Sequence, residues 1–169
     1  DLFKASTTSD KVTAATTSGA AAGSLDISVS QTATAQVSLS SAMAAWPSNS
    51  VLAISANGAV TSFDTTDKSL DQVISEVNKA NLGVTGVKIA TGSVDGVQQY
   101  RVQFTAAKTG SEGAFTASLG GTDMDVLKPA QDAKLTLWAG TPAAQEITSS
   151  TNTFKALMPG VDVTLAADT

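Results

Sequence analysis

Residues 51–83 read VLAISANGAVTSFDTTDKSLDQVISEVNKANLG, and the fold turns on where this stretch changes its period. Asn57-Gly58 is the preferred pair for a two-residue type I′ turn, because both positions need φ > 0. Pairing Ala56 with Ala59 sets Leu52 opposite Phe63 and Ile54 opposite Thr61, and one face then collects Leu52, Ile54 and Phe63. The turn and the apolar alternation therefore demand the same register. Beyond Asp64 the period lengthens to that of a helix. Leu70, Val73, Ile74 and Val77 fall at i, i+3, i+4 and i+7, a narrow apolar stripe. Ser69 stands three residues before Gln72, the spacing of a capping box. Asp71 and Lys79 lie near the ends that suit their charges, and Asn81-Leu82-Gly83 supplies a stop. The one main helix is expected at about residues 69–80.

Working outward, Asp95-Gly96 is a second turn pair. Pairing Val94 with Val97 predicts Val87 opposite Phe104, Ile89 opposite Val102 and Thr91 opposite Tyr100. A further strand carries Phe115, Ala117 and Leu119 before Gly120-Gly121. Hairpin, helix, hairpin, strand is an α+β order, with one helix laid on a sheet.

The flanks are sheet-like. Val12, Ala14 and Thr16 alternate, SGAAAG over 18–23 makes a flexible hairpin loop, and Leu25, Ile27, Val29, Ala33, Ala35, Val37 and Leu39 hold odd positions across one long expected strand. Gly19 and Gly23 spell GxxxG, but their polar flanks suit a loop and not packed membrane helices. Trp46-Pro47 and Lys128-Pro129 mark boundaries. Strand patterns resume at 135–138, 146–148 and 161–165, with Pro159-Gly160 as a turn. The expected architecture is mainly β with a small α+β part. It has two domains built on antiparallel sheets: a discontinuous outer β domain, residues 1–41 plus 127–169, and an inserted α+β domain, residues 42–126. The chain starts at Asp1 and carries no basic segment before an apolar one, so it is expected to be a piece of a longer protein.

Composition excludes much chemistry. The 169 residues include no cysteine and no histidine, ten Lys+Arg and fifteen Asp+Glu, for a net charge of −5. Disulfides, thiolate nucleophiles, imidazole bases and Cys- or His-based metal sites are therefore absent. A single arginine, Arg101, argues against nucleic acid, where clustered cations neutralise phosphates. No run of about 18 apolar residues spans a bilayer. No G-x-S-x-G elbow, SxxK tetrad, P-loop or G-x-G-x-x-G occurs. The acid pairs Asp64/Asp67 and Asp123/Asp125 lie in polar, turn-like stretches, where Asp bonds nearby amides. Asp123-x-Asp125 falls short of a calcium loop. No catalytic, cofactor-binding or metal residue is assigned, and the expectation is a protein that is not an enzyme. Trp46 and Trp138 are the largest apolar side chains and the candidate interface residues, since Trp is enriched at interface hot spots. Trp138, before Ala139-Gly140 at a strand end, has the more interface-like position.

Together these motifs carry a resemblance. The run from Leu52 to Leu119 is similar to the IN motif of hook-associated and flagellin proteins: a short hairpin, the helix SLDQVISEVNKAN, then GVTGVKIATG, a turn, YRVQFTAAKTGSEGAF and a last strand. The flanks KVTAATTSGAAAGSLDISVSQTATAQ, AQDAKLTLWAG and EITSSTNTFKALMPGVDVTL resemble the head of the flagellar filament cap family, hook-associated protein 2. Nearly the whole chain is covered. Trp138-Ala139 departs from the family, which more often has Asp before the Gly. The resemblance implies a non-enzymatic head of a homo-oligomeric cap at the filament tip, promoting flagellin insertion, exported by the flagellar type III route and located outside the cell. It implies as partners a second copy of itself, flagellin, other hook-associated proteins and, in some bacteria, a host surface or mucin. Without the helical legs of that family, the fragment is expected to be monomeric or weakly associating. The alternatives from other classes are an adhesin or glycan-binding module, and a variable domain of another hook-associated protein or of flagellin.

Overall fold

In the computed structural model, which describes residues 3–166, the chain runs through fourteen strands and one α-helix. In chain order these are β1 (Val12–Thr16), β2 (Ile27–Gln31), β3 (Ala35–Leu39), β4 (Val51–Ala56), β5 (Ala59–Asp64), α1 (Leu70–Lys79), β6 (Val84–Val94) and β7 (Val97–Thr109). A short 3₁₀ turn (Ser111–Gly113) then leads to β8 (Phe115–Leu119), β9 (Thr122–Asp123), β10 (Asp125–Lys128), β11 (Ala133–Leu137), β12 (Gln145–Ser149), β13 (Thr153–Met158) and β14 (Val161–Leu165). All pairings are antiparallel, in four sheets. The architecture is mainly β, with one helix where the periodicity placed it.

Two units divide the chain. The outer one comprises the residues up to Thr34 and from Gln131 onward, and the middle one spans Ala35–Ala130. The middle unit is wider on both sides than residues 42–126, because β3 and β10 belong to its sheet β10-β3-β7-β6. Thr34 and Gln131 exchange backbone hydrogen bonds of 2.9 and 3.2 Å, so the chain leaves the outer unit and returns to it at adjacent points.

In the middle unit the first hairpin keeps its expected register: Leu52 faces Phe63, Ile54 faces Thr61 and Ala56 faces Ala59. Leu52, Ile54 and Phe63 are buried. The helix starts on the expected box. Ser69 Oγ accepts the Gln72 N–H at 3.1 Å, and Gln72 Oε1 accepts the Ser69 N–H at 2.7 Å, which satisfies two donors that have no partner inside the helix. Leu70, Val73, Ile74 and Val77 are all buried, each contributing about 1.5–3 kcal/mol at most. The helix would be marginal without that burial, at ten residues.

The second hairpin departs from its expected register. Val94 pairs with Val97, but an extra residue enters at Thr91, between Ala90 and Gly92. Past this β-bulge the partners are Gly86–Phe104, Lys88–Val102 and Ala90–Tyr100, each one residue away from the expected pairs. A one-residue slip exchanges the faces of a strand. Gly86 and Lys88 therefore face inward, and Val87 and Ile89 face solvent at 49% and 39% exposure. Gly86 is needed there, because a Cβ would come within 2.8 Å of the Phe104 ring.

The expected long strand over residues 25–39 is in fact two. β2 joins β11 in the outer unit and β3 joins β7 and β10 in the middle one. Asn152 holds the break: its side-chain amide accepts the Ala33 N–H at 2.6 Å and donates to the Ala33 carbonyl at 3.3 Å. In β3 the phase inverts, so that Gln36, Ser38 and Ser40 are buried and Val37 and Leu39 are half-buried on the other face. The Gln36 amide accepts the Phe115 N–H at 3.0 Å and donates to the Phe115 carbonyl at 2.7 Å, while Ser40 Oγ accepts the Val102 N–H at 2.8 Å. Buried polar groups are tolerated when they are bonded in this way.

The expected hairpin over 12–39 is absent as well. β1 pairs with β14 near the other end of the chain, Val12 opposite Leu165 and Thr16 opposite Val161. Residues 17–26 connect two different sheets, β1-β14-β13 and β12-β11-β2. The SGAAAG segment packs on the Pro159-Gly160 turn, where the Thr17 N–H donates to the Gly160 carbonyl at 2.7 Å, and a side chain at Gly160 would overlap the Ala20 backbone. Leu135, Ala133, Phe154, Val163 and Leu165 form the core of this unit.

Candidate functional site

The two tryptophans have separate fates. Trp46 belongs to the core of the middle unit, 8% exposed with Leu52 and Leu70 in the same cluster, and its indole N–H donates to the Ser69 carbonyl at 3.0 Å. It ties the residue before helix α1 to the core and presents no free face. Trp138 is 43% exposed, in the turn after β11. Its φ is 52°, a left-handed conformation that costs a bulky residue about 1–2 kcal/mol. The turn is held firmly. The Trp138 N–H donates to the Asp26 carbonyl at 3.2 Å, and the Trp138 carbonyl accepts from the Thr141 N–H at 3.3 Å and the Thr141 hydroxyl at 2.7 Å.

The acids of both pairs, Asp64/Asp67 and Asp123/Asp125, are exposed. Asp64 Oδ1 accepts the Thr66 N–H at 3.0 Å, and that backbone hydrogen bond holds the carboxyl below the ordinary carboxylate range. A proton donor at neutral pH needs the opposite shift. Asp67 lies in a turn with φ 56°, and Asp123 and Asp125 are exposed on β9 and β10. Among the described residues no group of three acidic, His or Cys side chains could hold a metal ion. Among the described residues no helix is long and apolar enough to cross a membrane.

The sequence reading missed one surface. On the outward face of the sheet β10-β3-β7-β6, Leu39, Gln103 and Val87 stand in one row, Ile89 lies opposite Arg101, and Val37 lies opposite Thr105. An apolar stripe is thus interleaved with the only arginine. Its signals were Gly92 inside a strand pattern, which marks a bulge, and the second polar alternation Gln36, Ser38, Ser40.

The D2–D3 domains of the flagellar cap protein FliD from Escherichia coli superpose with a TM-score of 0.74 at 24% identity, covering 96% of this chain and 91% of that one. The corresponding domains from Serratia marcescens give 0.66 at 23%, covering 95% of each chain. FliD (HAP2) from Pseudomonas aeruginosa PAO1 gives 0.65 at 17%, covering 94% and 79%. The fold is that of the flagellar cap D2–D3 region. A longer E. coli structure that includes D1 is covered over 51% of its length, at a TM-score of 0.73, so the cap D2–D3 fold accounts for nearly all of this chain and half of that one. No protein-family model and no curated protein matches the sequence.

Proposed function

We propose that this chain is the non-enzymatic head of a flagellar filament cap, which assembles with copies of itself at the filament tip and promotes polymerisation of flagellin. The observation that carries this reading is coverage: both units fall within one solved cap D2–D3 region, over 96% of this chain. The lack of Cys and His and the engagement of Asp64 as a turn acceptor fit a protein that acts through shape and interfaces. On this reading the protein lies outside the cell at the flagellum, reaches it by the flagellar export route, and meets flagellin and other hook-associated proteins. The decisive experiment deletes the codons for these 169 residues in frame. Flagellin spilling unpolymerised into the medium, with loss of swimming, is the expected result. Normal filaments with lost attachment to a surface or mucin would make the head an adhesin and overturn the cap reading.

Trp138 is the residue we assign to self-association, on its exposure and its strained, rigidly held turn. Trp138→Ala is expected to weaken oligomerisation and motility while the fold persists; unchanged values of both would remove Trp138 from the interface. We further propose that the middle unit is a domain able to fold by itself, tested by expressing residues 35–130 alone. A dispersed amide spectrum supports this, and a collapsed one refutes it.

A further inference from the structure

A cavity of about 620 Å3 opens within the outer unit, a volume in the range of small-molecule sites. Its floor is apolar: Val12 and Ala14 of β1 and Val161 and Val163 of β14, flanked by Ile27 and Met158. Val12, Val161 and Val163 are core residues of the unit, so the core-facing side of this sheet continues into the cavity. The roof is made by residues 3–9 and 21–26, which lie outside any strand or helix. Phe3–Ser6 makes no hydrogen bond to another described residue; the 3–9 part of the roof is tied down at its far end, where the Thr7 hydroxyl donates to the Ser9 and Val12 carbonyls at 3.0 and 2.8 Å and Ser9 Oγ accepts the Lys11 N–H at 3.2 Å, while the 21–26 part is held at Asp26, whose carbonyl accepts the Trp138 N–H. A segment with so few bonds opens at low cost. The rim carries one cation and one anion, Lys4 and Asp26, and otherwise hydroxyls such as Ser6, Thr8 and Ser24.

We propose that this cavity binds a small uncharged amphiphile, with a short alkyl chain against the valine floor and a hydroxylic head at the rim. A rim with balanced charges gives no net attraction to a charged head, while the chain removes apolar wall from water. The probe is octyl β-D-glucoside below its micellar concentration, titrated into the full chain and followed by amide chemical shifts. Saturable shifts confined to residues 3–27 and 157–163 are expected, with octyl sulfate and octyltrimethylammonium at least about tenfold weaker. Ala14→Leu fills the floor and should abolish saturation and raise the melting temperature. If that variant loses its dispersed spectrum, Ala14→Val is read in its place, with weakened binding expected. Shifts that do not saturate, that spread to exposed apolar residues such as Val87 and Leu127, that are equal for the charged analogues, or that persist unchanged in the filled variant overturn the proposal.

Discussion

The two hairpins of the middle unit carry the same kind of signal and meet different outcomes. β4–β5 turns on Asn57-Gly58 and β6–β7 on Asp95-Gly96, and both tip pairs form as the turn residues demand. In the first, six uninterrupted pairs carry that register from the tip to Leu52 and beyond. In the second, the register survives only as far as Gly92, where the bulge resets it. A turn fixes pairing locally, and everything beyond a bulge follows the packing instead. Here the packing is that of Phe104, fully buried against a glycine that leaves room for its ring. Val87 or Ile89 in that place would fill the same space, so the apolar pattern of β6 gives way to the fit of one aromatic ring.

The largest effect that separates the hairpins comes from single-residue deletions. Removing Ser55 shifts Leu52 and Ile54 by one position and turns them to solvent. The expected outcome is loss of the cooperative thermal transition. Removing Thr91 takes out the bulged residue and leaves the pairs from Ala90 to Val84 as they are, so the transition should persist within a few degrees of the parent. Equal damage from both deletions would mean that the bulge is required for the fold.

Next in size is Gly86→Ala. Its Cβ would lie 2.8 Å from Phe104 Cε1 and 3.4 Å from Ile74 Cγ2, and overpacking of this kind costs about 1–3 kcal/mol. At about 2–4 °C per kcal/mol for a chain of this size, calorimetry resolves it. Combining it with Phe104→Leu should recover part of the loss relative to the sum of the single changes. Strict additivity would show that the ring does not dictate the register.

How far the sequence could be read follows from the same distinction. The first hairpin, the capped helix and the strand at 115–119 were legible because turn chemistry, capping and period agree within a few residues. The break at residues 32–34 was not, since it depends on the Asn152 amide bonding Ala33 from 119 positions away. The inverted phase of β3 likewise depends on Gln36 bonding the Phe115 backbone 79 positions away. Side-chain amides that bond a distant peptide leave no periodic trace. Of the candidate site, the position of Trp138 at a strand end was legible and its left-handed backbone was not. Trp46 looked equivalent in sequence, and only its hydrogen bond to Ser69 and its burial distinguish it.

Gly92→Ala probes the bulge more gently than deletion. Gly92 has φ 101°, in open space where a Cβ meets nothing within 4 Å, so any cost is backbone strain alone. A non-glycine residue held there costs about 1–2 kcal/mol. A melting temperature unchanged by Gly92→Ala would mean that the bulge relaxes freely.

The smallest effect is also the most discriminating. In the register that the turn alone would give, Val87 faces Phe104 and Ile89 faces Val102 inside the core. In the bulged register both look outward, opposite Gln103 and Arg101. Replacing both by threonine preserves β-branching, which suits a strand on either face, and so isolates burial. At exposed positions the double change should alter stability by no more than about 0.5 kcal/mol per site, whereas two buried hydroxyls without partners would cost about 1–3 kcal/mol each. Chemical denaturation with an unchanged m-value distinguishes these outcomes. Because the outward row of Leu39, Gln103 and Val87 is left intact at two of its three members, the change tests the face of β6 without dismantling the sheet. A near-zero result assigns the second hairpin's stability to Phe104, Val102 and the helix above them, not to the valine and isoleucine that dominate its sequence.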